Sequence, residues 1–267
     1  MIVMDACACH DDLGVPRAAV PDAVLDRLKG VSIPTLTMIL RRLGYPSVFL
    51  TGVVPRTPWQ SFAGRAFTGR TLPARPDVSA ALAGARSLHR HAFETIGAAD
   101  VLVIDARGDV GARVTGDILA TRLHHRGAAA LITDGAIGDL AALQTVGLAV
   151  YSRGVTPVTF GEVHVMADLN VPVSCAGVLI VPGDVLVGDP EGVIAIPQGL
   201  AAQVAEEGVE MERRDAFSRT KVAAGQPLAQ AYPLSGTLRA EYEATKAGEA
   251  ARDTISPPVP GLLRGGC

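Results

Sequence analysis

Residues 101–150 read VLVIDARGDVGARVTGDILATRLHHRGAAALITDGAIGDLAALQTVGLAV. Residues 101–104 form a short apolar run rich in β-branched side chains, and it ends at Asp105. A loop holding Asp109 leads to Gly116-Asp117. Ile118, Leu119 and Leu123 then fall at helical spacing, with a stop at Arg126-Gly127. A second apolar run, 128–132, ends at Asp134-Gly135. A second short helix starts at Asp139, and a third apolar run covers 148–151. Strand, helix, strand, helix, strand is the pattern of parallel pairing through crossover helices. The spacing predicts an α/β fold with a βαβαβ core.

The acids of this stretch share one place in that pattern. Asp105, Asp109, Asp117, Asp134 and Asp139 each follow a strand or start a helix. In a parallel sheet those positions lie on one edge, outside the carboxyl ends of the strands, where ligands bind. Two readings stand side by side. Asp at a helix start is a common cap, stabilising by roughly 1 kcal/mol, and Asp-Gly is common in turns. Several carboxylates on one edge also suit a hard cation with oxygen ligands.

Composition narrows the function classes. The chain has 267 residues, enough for one sizeable core. Its 48% hydrophobic content and mean hydropathy of +0.29 fit a well-packed soluble protein. A net charge of −3 offers no broad basic surface, so nucleic acid is not an expected partner. No apolar run approaches the roughly 20 residues of a membrane helix, so no membrane association is expected either. The N-terminus MIVMDACACHDD is acidic and short and does not read as a secretory signal. Cys7, Cys9, Cys175 and Cys267 make neither a disulfide framework nor a paired zinc spacing, so a cytoplasmic location is expected. Cys7-Ala8-Cys9-His10 could hold a metal only with ligands from elsewhere; a frayed end is the plainer reading.

The flanking segments complete the outline. Residues 1–21 read as a flexible leader, 22–232 as a single domain, and 233–267 as a polar, partly mobile tail. Two helices open the domain, the second with Ser32 as cap and Pro34 in its first turn. They are expected to serve as a packing or oligomer arm. Residues 64–71 alternate as a half-buried strand would, with Arg65 and Arg70 as solvated charges. Trp59 reads as a surface plug. His89 and His91 lie two apart in an Ala-rich helical stretch and are expected at the surface. His124-His125 suits the last turn of a helix, where positive charge is favourable. Short β segments between 178 and 196, broken by Pro-Gly and Asp-Pro-Glu-Gly turns, predict an antiparallel meander. A charged helix from Leu200 to Phe217 and a polar helix in the tail form a C-terminal arm.

No Walker loop, no GxGxxG in the first βα turn and no G-x-S-x-G elbow occurs, which counts against NTPase, dehydrogenase and hydrolase readings. What remains is Gly116-Asp117-Ile118-Leu119 and Asp134-Gly135-Ala136-Ile137-Gly138-Asp139. Gly116 lets the backbone approach a ligand, and the amides of Ile118 and Leu119 at the helix start suit a carboxylate. Asp139 could bind Mg²⁺ directly, with Asp117 holding a metal-bound water.

Together with Asn170-Val171-Pro172-Val173, Cys175-Ala176-Gly177-Val178 and Pro182-Gly183-Asp184-Val185-Leu186-Val187-Gly188-Asp189, these motifs resemble the RraA-like family. That family includes 4-hydroxy-4-methyl-2-oxoglutarate aldolases, also oxaloacetate decarboxylases, and the regulator of ribonuclease activity A. The resemblance covers roughly residues 25–232. It implies a swivelling β/β/α fold with a mixed sheet, trimers or hexamers, and active sites between subunits. It implies a lyase that cleaves a C–C bond of a 2-oxo acid with Mg²⁺ or Mn²⁺. In that pattern Asp139 holds the metal, Asp117 orders a water for proton transfer, and the Ile118 and Leu119 amides bind the pyruvyl carboxylate. A neighbour's C-terminal helix supplies an acid, here Asp215 or Glu212.

One position departs from the pattern. The aldolases carry an Arg immediately before the metal Asp; here that residue is Gly138. A charge-assisted contact of that kind contributes on the order of 1.5–3 kcal/mol. Arg107, Arg113 and Arg153 lie on or near the same edge, and Arg153, at the end of the adjacent strand, is the expected substitute. Two alternatives stay open: a different substrate in room opened by Gly138, or a non-catalytic regulatory binding protein.

Overall fold

The computed structural model describes residues 20–58, 60–81 and 87–255, with backbone only for 248–255. The leader with Cys7, Cys9 and His10, together with Trp59, Gly84 and Cys267, lies outside the described residues.

The first two helices are α1 (Asp22–Lys29) and α2 (Ile33–Arg42). Leu25, Leu28, Leu36, Ile39 and Leu40 are buried, and the helices pack on this chain's own sheet. Ser32 stands at the start of α2, but its hydroxyl donates to Thr35 Oγ1 at 3.0 Å. The first free amide of the helix, on Ile33, instead donates to Asp189 Oδ2 at 3.0 Å. The cap therefore comes from a strand end far along the chain.

The strands β1 (Val54–Pro55) and β2 (Phe62–Pro73) follow, then the helices α3 (Pro76–Ala81) and α4 (Leu88–Thr95). The βαβαβ unit is β3 (Asp100–Asp105), α5 (Asp117–His125), β4 (Ala130–Ile137), α6 (Leu140–Leu143) and β5 (Ala149–Val155). Strands β2, β3, β4 and β5 pair parallel, in that order. Every residue of β4 is buried, as befits a central parallel strand. It runs on through Asp134 to Ile137, past the Asp-Gly expected to end it, with an irregularity between Thr133 and Ala136.

After β5 come α7 (Phe160–Val163), β6 (His164–Leu169), β7 (Val173–Cys175), β8 (Val178–Ile180), β9 (Val185–Asp189) and β10 (Gly192–Ile196). Strands β9 and β10 form an antiparallel pair, and β9 closes on β2. The meander reading fails at β8, which pairs back on β7 as a separate two-stranded sheet. Strand β2 also pairs with β6. Over 64–71 its burial alternates as expected, with Gly64, Ala66, Thr68 and Thr71 buried and Arg65, Phe67 and Arg70 more exposed; Gly69, just before a register shift, is the exception. The architecture is α/β with a mixed sheet.

The apolar side chains of the parallel strands divide between two cores. Val101, Val103, Ala130, Ile132 and Tyr151 face one side, with the β7–β8 hairpin packed on them. Leu102, Ile104, Leu131 and Val150 face the other, under α4, α5 and α6. Each buried Leu, Ile or Val contributes roughly 1.5–3 kcal/mol of transfer free energy.

Among the described residues no helix is long and apolar enough to cross a membrane. The chain divides between Val209 and Glu210 into two compact units, inside the helix α8 (Ala201–Ala223). The second unit adds α9 (Leu228–Ala231) and α10 (Gly236–Ile255). Its small core is Ala231, Leu234, Leu238 and Tyr242, with the Phe217 ring 5.5 Å from that of Tyr242.

Candidate active site

The loop after β3 does not simply lead to α5. It returns to lie beside the end of β4: the Val114 amide donates to Ala136 O at 2.8 Å and the Gly138 amide to Thr115 O at 2.9 Å. The Arg113 amide donates to Val158 O at 2.9 Å. This pairing carries Arg113 next to Gly138 and places Gly116 next to Asp139. Neither neighbour is close in sequence.

Asp139 starts α6 with φ +52 and ψ +40, in the left-handed region. Non-glycine residues enter that region at a cost on the order of 1 kcal/mol, and such residues cluster at functional sites. In this conformation Asp139 Oδ1 accepts from Arg113 Nη1 at 3.0 Å. Its other oxygen packs against Gly116, where any Cβ would overlap it. The backbone at Gly116 is extended (φ −132), so it is this close approach that asks for glycine. Gly138 is glycine for a matching reason. A Cβ there would overlap Arg113 Cδ and stand 2.9 Å from its Nη1.

The guanidinium beside Gly138 is thus that of Arg113. Arg153, the expected substitute, lies elsewhere, with Nη2 3.4 Å from Thr51 O and its Nη1 against Gly108. Strand β5 does end at this edge, but the Arg153 side chain turns towards the 51–52 and 107–108 loops. The room that Gly138 would open for a different substrate is filled by Arg113.

Asp117 is the first residue of α5, and its Oδ1 accepts from the Ile118 amide at 2.8 Å. Of the two amides named from the sequence, Ile118 N–H is therefore engaged. Leu119 N–H has no partner among the described residues. Ile118 projects its side chain outward, 79% exposed. Asp117, Asp139, Arg113, Leu119 and Gly116 line one open cavity of about 620 Å³. His89 and Arg90 of α4, which packs on α5, line it too.

His89 corrects the surface expectation. Its side chain is buried, stacked on Phe160 at 4.0 Å and edge-on to Phe93 at 5.2 Å. Its Nε2 lies 2.7 Å from Val114 O, so this nitrogen carries the proton and donates. Burial pushes the imidazole down to about 4, leaving it neutral at pH 7. A neutral His89 thereby tethers the segment that carries Arg113. His91 is exposed, as expected.

The remaining acids of the edge serve the fold. Asp134 accepts from Ala106 N and Gly108 N, each at 2.8 Å, and from Ala176 N at 3.3 Å. Asp105 accepts from Arg107 N at 2.8 Å and Ser174 N at 3.3 Å; burial, and then the neighbouring Asp134, push its carboxyl up. Asp109 accepts from Gly111 N at 2.8 Å. Cys175 is buried in the core, and burial pushes its thiol up. Asp215 and Glu212 lie on α8 in the second compact unit.

Among the described residues no three His, Cys, Asp or Glu side chains stand close enough to form a closed metal cage. That excludes a structural zinc pattern from them, but not Mg²⁺ or Mn²⁺. Mg²⁺ keeps several waters and takes one or two carboxylates. Asp139 and Asp117, lining one open cleft, fit that donor set.

The fold and the sequence are similar to those of known proteins. A crystal structure of an uncharacterized protein from Pseudomonas syringae pv. tomato str. DC3000 shares the fold, with a TM-score of 0.71 and 23% identity, over 81% of this chain and all (100%) of that one. Streptomyces coelicolor RraAS2, described as an unusual member of the RNase ES inhibitor RraA protein family, has a TM-score of 0.68 and 26% identity. That similarity covers 76% of this chain and 99% of the other. A Halalkalibacterium halodurans protein named "Putative 4-hydroxy-4-methyl-2-oxoglutarate aldolase" is 36% identical over 116 residues, 43% of this chain. The match spans 55% of that relative's length. An Azotobacter vinelandii protein of the same name is 33% identical over 114 residues, 43% of this chain and 70% of its own length. The family model described as RraA-like, Aldolase/RraA, matches residues 18–195, the stretch that holds the whole cavity, and the chain accordingly belongs to the RraA-like family.

Proposed function

We propose that the protein is a divalent-metal-dependent lyase that cleaves a C–C bond of a 2-oxo acid, by retro-aldol cleavage or decarboxylation. One observation carries the reading. Two carboxylates, a free helix-start amide and a guanidinium share a single cleft at the carboxyl ends of the parallel strands. Nothing in the fold's own packing asks for that combination.

Asp139 would hold Mg²⁺ or Mn²⁺, with Asp117 beside it. Bound there, the cation supplies Lewis acidity towards the oxo group. The residues of the chain do the rest. The Leu119 amide and the start of α5 receive the substrate carboxylate. Arg113 grips it with charge-assisted hydrogen bonds and takes the place of an Arg at position 138. Asp117, through the oxygen not engaged by Ile118, orients the water that returns a proton to the carbon left by bond cleavage. Gly116 keeps the Asp139 carboxylate in place by leaving it room.

The protein is further proposed to assemble as a homotrimer or homohexamer, with Asp215 or Glu212 of a neighbouring copy completing the site. The 79% exposure of Ile118 at the cavity rim supports such a cover.

The test is pyruvate release from oxaloacetate and from 4-hydroxy-2-oxo acids, with Mg²⁺ or Mn²⁺ and after EDTA. Metal-dependent turnover that disappears in Asp139→Asn is expected. Turnover indifferent to EDTA, or full activity in Asp139→Asn, would overturn the reading. Light scattering that finds only monomers would remove Asp215 and Glu212 from the site.

A further inference from the structure

The segment that carries Arg113 is held by three separate parts of the chain. The Val114 amide donates to Ala136 O at 2.8 Å, near the end of β4. The Arg113 amide donates to Val158 O at 2.9 Å. The Val114 carbonyl accepts from His89 Nε2 at 2.7 Å. Among the described residues no backbone donor reaches that carbonyl, and Val114 is fully buried. His89 therefore supplies a hydrogen bond that the backbone does not.

The donor is itself fixed. Its ring stacks on Phe160, with centroids 4.0 Å apart and planes 11° apart, and meets Phe93 edge-on at 5.2 Å and 70°. Phe160 follows Val158 by two residues. The stretch that accepts the Arg113 amide thus also carries the ring that holds His89. The contacts close on themselves, from His89 to Val114, to Arg113, to Val158, to Phe160 and back. From this closed set Arg113 extends its Nη1 to 3.0 Å from Asp139 Oδ1. Packing alone would be met by a phenylalanine at 89; the Nε2–H is what the histidine adds.

We propose that His89 is a positioning residue: through the Val114 carbonyl it fixes the backbone of Arg113, and with it the guanidinium beside Asp139. The inference rests on the proposed 2-oxo acid site and names what sets the place of its cation. His89 acts on the substrate only through Arg113. A guanidinium–carboxylate contact is directional, so a displaced stem weakens it. Loss of the donor leaves the Val114 carbonyl unpaired and lets this segment open locally while the sheet stays closed. The effect falls on substrate affinity, because gripping the carboxylate is the part Arg113 plays.

The test compares two variants of opposite design in the full chain. His89→Phe keeps the stack on Phe160 and loses the donor; His89→Gln loses the ring and keeps an N–H at similar reach. The first readout is amide hydrogen exchange at Arg113 and Val114, without ligand. Exchange there is expected to quicken about tenfold in His89→Phe and to return close to the unaltered rate in His89→Gln, with the β3 and β4 core amides unchanged in both. The second readout is titration with oxalate in the presence of Mn²⁺. Affinity is expected to fall about three- to tenfold in His89→Phe and to recover in His89→Gln. In an Arg113→Ala background His89→Phe is expected to change affinity by less than about twofold, because the two residues act as one. Unchanged exchange in His89→Phe, or a His89→Gln variant that exchanges as fast as His89→Phe, overturns the proposal. So does an equal loss of oxalate affinity with and without Arg113. An unaltered protein that binds no oxalate overturns the 2-oxo acid reading, and the exchange rates still decide whether His89 holds Arg113.

Discussion

Arg113 and Gly138 occupy one volume between them. Any side chain at 138 enters the space of the Arg113 stem, and Arg113 in turn reaches Asp139. The charge next to the acid is thus delivered from the loop after β3 and not from the residue before Asp139. Arg113→Ala is expected to weaken 2-oxo acid binding about ten- to a hundredfold, the equivalent of one charge-assisted contact. Adding Gly138→Arg to that variant should restore part of the affinity, because the vacated space then accepts the new side chain. Gly138→Arg alone should be the worst of the three, since both side chains compete for one place. Oxalate affinity and KM for oxaloacetate read the series; unchanged values in Arg113→Ala would exclude it from substrate binding.

At the ends of the strands, single buried carboxylates hold several elements together. Asp134, within β4, collects amides from the loop after β3 and from the β7–β8 hairpin. Buried amides left without an acceptor cost roughly 1–3 kcal/mol each. Asp134→Ala is therefore expected to lower unfolding free energy by about 2–5 kcal/mol, read from urea denaturation. A loss under about 1 kcal/mol would mean that water replaces the carboxylate at no cost. The same acid explains why the β3 loop has a fixed path, and that path is what sets Arg113 beside Asp139. The helix α5 then begins where the loop ends, with Gly116 under the Asp139 carboxylate.

For the molecule as a whole, buried histidines tie stability to pH. Burial pushes His89 from 6.5 down to about 4, and lowers His164 as well. Between those values the unfolded chain binds protons that the folded chain does not. Stability contributed by His89 is therefore full above about pH 6.5 and lost as pH falls towards about 4, by up to roughly 3 kcal/mol. Asp105 and Asp184 work in the opposite sense: burial raises them, so the folded chain holds their protons longer as pH rises out of the carboxylate range. The window from pH 6.5 to 5 thus isolates the histidines best. His89→Gln is expected to flatten the fall in urea midpoint across that window, leaving the slope due to His164. An unchanged slope would mean His89 is not held neutral by burial.

The βαβαβ core was legible in residues 101–150 because each apolar run carries its own period and each turn its own Gly or Asp. Gly116-Asp117 and Gly138-Asp139 could be placed at one sheet edge for the same reason: parallel strands bring their carboxyl ends together whatever else packs on them. The family resemblance was legible too, from short motifs spread over most of the chain. Partners brought together from distant parts of the chain were not. Arg113 reaches Gly138 only because its loop returns to β4, and His89 is buried against Phe160, about 70 residues further along. Local periodicity states which face of a segment is apolar. Which segment covers that face, and which charge meets which, follows from contacts between residues far apart in the chain, and these take shape only when the whole core closes.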